Sequence, residues 1–174
     1  MVKPAVSQHG FTLVELLVTL SVAMILLTFG VPSTRDFVMN ARVSTYANEF
    51  VTGIQLTRGT AIKQQRNAQI CVSTTWNSNS PTCTGGTDWS DGWVVWVDQN
   101  RDGILASAEV LRVMEPLNGK SLFTSTANTA FTYDSTGMVS AGDTLTLCDN
   151  RNDEQGRTIT ITPAGRVNLS RGGC

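Results

Sequence analysis

The feature that most restricts this chain is an apolar run of about twenty residues that begins at Phe11, directly after a short polar segment, MVKPAVSQHG. Leu13, Val14, Leu16, Leu17, Val18, Leu20, Val22, Ile25, Leu26 and Leu27 cover every face of the helix that such a run predicts. An all-round apolar helix belongs in lipid or in a protein core. An ordinary secretory signal is cut after its apolar run. Ser21-Val22-Ala23 has a small-x-small pattern, but more apolar residues follow it, and the polar-to-apolar break comes earlier, at Gly10–Phe11. An uncleaved anchor fits the hydropathy equally well but gives no reason for Glu15. A carboxylate at a bilayer centre costs about 2.5–3.5 kcal/mol on insertion scales. Scission after Gly10 would create a charged amine on Phe11, about one helical turn from Glu15. The carboxylate would then have a counter-charge in its own subunit or a neighbour, at the favourable end of the helix dipole. A glutamate snorkelling to the interface is the plainer alternative.

The residues GFTLVELLV, beginning at Gly10, resemble the type III signal of type IV pilins and pseudopilins. The resemblance implies cleavage between Gly10 and Phe11 by prepilin peptidase, N-methylation of Phe11, and contact of Glu15 with a neighbouring amine during assembly. The stretch from Val31 to Ser73 resembles the corresponding part of FimT- and FimU-like minor pilins. Trp89-Ser-Asp-Gly-Trp93 followed by VVWVDQNRDG, then FTYDSTG, TLTLCD and TITITPAGRV, resemble the head of the GspH/FimT family. That resemblance implies an antiparallel sheet assembly packed on the C-terminal half of a long helix.

The residues give a compatible pattern by themselves. Gly30 and Pro32 interrupt the helical run, and Pro32 predicts a kink or a local opening. Phe37, Ala41, Ser44, Ala47, Val51, Ile54, Arg58 and Ala61 then recur at spacings of three and four. With Phe50 and Ile62 beside them they form one apolar face, opposite Arg35, Asp36, Arg42, Asn48 and Glu49. A helix from Phe11 to about Gln65 would be on the order of 80 Å long. After Asn67 the period changes to two. Strands are expected at Gln69–Ser73, Trp93–Asp98, Val110–Glu115, Ala130–Asp134, Thr144–Cys148, Thr158–Thr162 and Arg166–Ser170, separated by turn-forming clusters. The expected fold class is α+β: a long N-terminal helix, transmembrane in its first half, packed against an antiparallel β-sheet head in a pilin-like fold. The expected segments are a leader (1–10), a transmembrane and assembly helix (11–31), an amphipathic helix (32–66) and a strand-rich extracytoplasmic head (67–174).

Catalysis finds little support. The only histidine is His9, inside the expected leader, which removes Ser-His-Asp and Cys-His chemistry and His-ligated zinc from the mature chain. Cys71, Cys83, Cys148 and Cys174 contain no C-x-x-C pair and read as two disulfides in an exported head. Three pairings are open. Cys71–Cys83, closing the polar 74–82 stretch for about 3 kcal/mol, and Cys148–Cys174, tethering the C-terminus, are favoured. Gly119-Lys120-Ser121 has the end of a phosphate-binding loop, but Met114 stands at the upstream glycine position. Trp93 and Trp96, on opposite faces of one strand, read as core.

Asp98, Asn100, Asp102, Gly103 and Glu109 satisfy the pattern D-x-[DN]-x-[DN]-G-x5-E of a calcium loop. The flanking segments read as strands, where an EF-hand needs helices, so a hairpin turn is the favoured reading and calcium the alternative. No other cofactor is expected. Bulk charge, a formal -1 at pH 7, gives no argument for nucleic acid. FimT-like DNA-uptake pilins carry a Gly-Arg-x-Arg motif, of which Gly165-Arg166-Val167-Asn168 matches only the first half, with Arg171 nearby. Asp143, Asp149, Asp153 and Glu154 balance Arg151, Arg157, Arg166 and Arg171, so a mixed solvated surface is favoured over DNA binding.

The expected function is therefore that of a non-enzymatic minor pilin. It would be held in the inner membrane with a periplasmic head, processed by prepilin peptidase, and packed into a type IV pilus against major and minor pilins through its N-terminal helix. A DNA-binding pilin for transformation and a minor pseudopilin of type II secretion are the alternatives.

Overall fold

The computed structural model describes residues 10–151 and 156–174, apart from the side chains of residues 29–33. The leader residues 1–9, Asp153 and Glu154 fall outside what is described, whereas the backbone stays helical through Gly30 and Pro32, so the expected interruption of the helical run does not occur there. One helix, α1 (Leu13–Gln64), is followed by eight strands: β1 (Ala68–Val72), β2 (Trp93–Val97), β3 (Val110–Met114), β4 (Leu122–Ser125), β5 (Ala130–Tyr133), β6 (Asp143–Cys148), β7 (Gly156–Ile161) and β8 (Val167–Gly172). The chain divides into two compact units between Met39 and Asn40.

In the first unit, α1 opens with a capping box. The Glu15 amide donates to Thr12 Oγ1 at 3.2 Å, and Glu15 Oε2 accepts from the Thr12 amide at 3.0 Å. Thr19, Ser21 and Thr28 turn their hydroxyls back onto the carbonyls of Leu16, Leu17 and Ile25, so these polar groups are satisfied inside the helix. The large apolar side chains from Leu13 to Leu27 are all exposed. Among the described residues no helix is long and apolar enough to cross a membrane, so a spanning first half is not shown.

In the second unit, α1 buries Val43, Ala47, Phe50, Ile54, Thr57 and Ala61, at alternating spacings of four and three. This corrects the expected face. Ala47, Ile54 and Ala61 belong to it, but Ser44, Val51 and Arg58 flank it half-buried, and Ala41, Ile62 and Phe37 are exposed. Two neighbouring rows satisfy a 3.6-residue period almost equally, and the large side chain of Phe50 selects one of them. Thr57 can be buried because its hydroxyl donates to the Gly53 carbonyl at 2.8 Å. Gly53 lacks a side chain for a packing reason: a Cβ there would stand 2.8 Å from the Trp93 ring.

The strands form two four-stranded antiparallel sheets, ordered β3-β2-β1-β5 and β4-β6-β7-β8. Both feed one core with α1. Phe50 meets Trp89, Trp93 and Phe123 edge-on at 5.2, 5.9 and 4.8 Å, and Trp89 stacks on Phe131 at 5.5 Å. Trp93 and Trp96 do point to opposite sides. Trp93 joins the main core, while Trp96 packs with Cys71 and Val94 under Trp76 and Leu105. Every residue of β2 is buried, because this strand is covered on both faces.

Seven of the eight strands lie where the alternation puts them, with ends shifted by one or two residues. β4 was not expected. Its sequence, LFTS, is short and half polar, and pairing with β6 through Phe123↔Leu147 makes it a strand. β8 runs to Gly172 rather than Ser170 because β7 supplies partners that far, Arg157↔Arg171 and Gly156↔Gly172.

Candidate functional site

Gly10 and Phe11 precede the helix, and the Phe11 side chain is 85% exposed. The peptide bond between them lies outside regular structure, beside the capped first turn. Thr12 was overlooked in the sequence, although Thr12-Leu-Val-Glu15 carries the T-x-x-E signature of a helix start. Glu15 thus has a local partner in the Thr12 amide and hydroxyl, the latter at 3.0 Å. The exposed apolar residues from Leu13 to Leu27 present a surface fit for lipid or for other helices.

The cysteines pair as favoured. Cys71 joins Cys83 across twelve residues, and Cys148 joins Cys174 across twenty-six, with Cα separations of 5.6 and 5.9 Å. The first closes the 74–82 loop, where Thr75 and Thr82 also bond through their hydroxyls. The second fastens the end of β8 beside the end of β6.

Of the arginines named in the sequence, Arg157 and Arg171 are cross-strand partners on β7 and β8, while Arg166 stands at the other end of the β8 ladder. The Arg151 guanidinium donates to Asp149, in an ion pair of 2.5 Å, and to Asn40 Oδ1 of α1 at 2.7 Å. These bonds hold the Asp149 carboxyl below the usual carboxylate range, against the opposing effect of burial. Arg157 donates to Ser44 Oγ at 2.9 Å. Both therefore tie the head to its helix. Arg166, exposed, precedes β8, and Arg171 lies near that strand's far end, about 17 Å of extended chain away. Two cations so separated do not make the cluster that phosphate recognition needs.

The 98–109 segment links β2 to β3. Arg101 and Gly103 take positive φ, 67° and 72°, and a single 3-10 turn, Ser107–Glu109, closes the loop. Asp98 Oδ2 accepts from the Gly103 amide at 3.2 Å, Asn100 Oδ1 from the Asp102 amide at 3.0 Å, and Asp102 Oδ1 from the Ile104 amide at 2.7 Å. Glu109 Oε1 accepts from the Gln99 amide at 2.8 Å, and Oε2 from the Ala106 amide at 3.2 Å. The favoured turn is thus the geometry observed, with the side chains capping local amides. Among the described residues no three carboxylates or thiolates stand around one metal-sized point.

Comparison with known proteins adds three findings. A family model described as type II transport protein GspH matches residues 46–165, and one described as the prokaryotic N-terminal methylation motif matches residues 6–31. No curated protein matches. The fold is similar to crystal structures of the type IV minor pilin FimU of Pseudomonas aeruginosa PAO1 in two crystal forms, each 23% identical in sequence. The TM-scores are 0.58 and 0.55, over 77% and 73% of this chain and 92% and 91% of those chains. A helix packed on antiparallel sheets, the methylation motif at the Gly10–Phe11 junction, and a family match over well over half of the 174 residues lead to one assignment: this chain belongs to the GspH family of minor pilin-like proteins.

Proposed function

We propose that this protein is a minor type IV pilin whose role is structural. Prepilin peptidase cuts between Gly10 and Phe11, the new Phe11 amine is methylated, and residues 11–31 hold the protein in the inner membrane with the head in the periplasm. The Phe11-onward helix then packs against major and minor pilins in the fibre, and Glu15 meets the amine of a neighbouring subunit. The observation that carries this reading is the exposure of every large apolar side chain from Leu13 to Leu27, within the stretch that the methylation-motif model matches. Burial of such surface among helices or lipid contributes roughly 25 cal/mol per Å².

N-terminal sequencing and intact mass of the membrane-extracted protein test it. The expected chain begins at a methylated Phe11; a chain that still carries Met1 in cells with active prepilin peptidase would end the proposal. A second reading, a minor pseudopilin of type II secretion, shares the family description. A gene deletion separates the two: loss of piliation and twitching supports the pilus, and loss of enzyme secretion supports the secretion system. DNA capture through Arg166 and Arg171 gains nothing from their separation.

A further inference from the structure

Burial in the 98–109 loop is at odds with its charge. Asp98 and Glu109, at 8% and 5% exposure, are two carboxylates held inside one turn. Neither forms an ion pair among the described residues, although Arg66 and Arg101 line a hollow beside Asp98. Glu109 is satisfied by amides, but Asp98 Oδ1 is buried with no hydrogen-bond partner at all. An orphaned buried acceptor is costly, and a charged one more so. Asp98 and Gly103 also line a hollow of about 100 Å³ together with Trp96, Asn67, Gln69 and Thr132. A plain turn explains Asp98 Oδ2, which caps the Gly103 amide. It does not explain the other oxygen.

We propose that this loop is a calcium site centred on Asp98 Oδ1. Hard divalent cations take oxygen ligands, and calcium takes six to eight at flexible geometry. The spacing supplies side-chain oxygens from Asp98, Asn100, Asp102 and Glu109, the Ile104 carbonyl falls at the main-chain ligand position of the pattern, and water completes the shell. The positive φ at Gly103 lets the chain turn tightly enough to bring these positions to one side. The carboxylates do not already converge, so binding turns Asp102 and Glu109 toward Asp98 and releases amide bonds of Glu109. That rearrangement places the affinity in the weak range of extracellular modules, about 10⁻⁴–10⁻³ M.

The test uses the full chain in detergent micelles. Calcium at 10 mM is expected to raise the melting temperature by about 3–10 °C, with a smaller effect from magnesium. Terbium should give emission sensitised by Trp96, the tryptophan beside Asp98 and Gly103, and calcium should quench it competitively. Asp98→Asn should abolish both signals. Asp102→Ala, at an exposed position that leaves the core untouched, should do the same and serves if Asp98→Asn fails to fold. Absence of both a thermal shift and sensitised emission in the native sequence overturns the proposal. So does a calcium shift that persists undiminished in Asp102→Ala, because the ion then sits elsewhere.

Discussion

Tyr133 lies fully buried at the end of β5, and its hydroxyl has no hydrogen-bond partner. Burial pushes its pKa up to about 12, against a lowering by the nearby Arg58 guanidinium. The hydroxyl is thus neutral at any physiological pH and contributes an unsatisfied polar group to the core. Tyr133→Phe removes that group and keeps the ring, so it should leave the fold intact and raise stability by about 1 kcal/mol. Urea denaturation checks this; a loss of stability would reveal a partner for the hydroxyl. Single residues also set the helix start, where Thr12 and Glu15 bond reciprocally. Such roles are readable from sequence only where a short spacing encodes them, as T-x-x-E does. The alternation of Phe131 and Tyr133 along β5 announces burial of the ring but not the missing partner of its hydroxyl, because its surroundings come from α1 and the loops at Gly137 and Gly165.

At the scale of elements, β8 is the least self-sufficient strand. Its residues are mostly exposed, it lies at the edge of its sheet, and among the described residues β7 is its only strand neighbour. The Cys148–Cys174 bond anchors its end, and removing it frees a loop of 26 residues for about 3–4 kcal/mol in the unfolded state. The double variant Cys148→Ser, Cys174→Ser should therefore lose that stability. Amide exchange should accelerate first in β8, while β1 and β2 stay protected. Equal protection of β8 with and without the bond would show that the ladder holds by itself. β4 makes the complementary point: a weak segment becomes a strand because β6 offers it an edge.

At the scale of the molecule, carboxylates at three separate joints stabilise the head. Asp134 caps its own turn through Thr136 and Met138, and its pKa is lowered chiefly by the Thr136 hydroxyl. Burial works to raise that of Asp143, but bonds from Thr126, Asn128, Thr144 and Ala127 outweigh it, and the net shift is downward. Asp149 is lowered by Arg151. A folded-state pKa below the unfolded value of about 3.9 gives stability that is complete above that value and lost as pH falls through the folded pKa. Thermal melts should thus be level from neutrality to about pH 5 and decline below about pH 4. A decline that begins near pH 6 would point to other groups.

The residues alone determined whatever depends on neighbours along the chain: the apolar run and its Gly10–Phe11 boundary, the change of period after Asn67, and the turn chemistry of 98–103. Helical and extended periodicities are local, so they survive without knowledge of the fold. Tertiary packing decided the rest. It chose the Val43–Phe50–Ala61 row over the row beside it, drew Arg151 and Arg157 onto α1, separated Arg166 from Arg171, and buried Asp98 without a partner for one oxygen. Each of these outcomes turns on which surfaces meet across distances of many residues, and desolvation acts only once they have met.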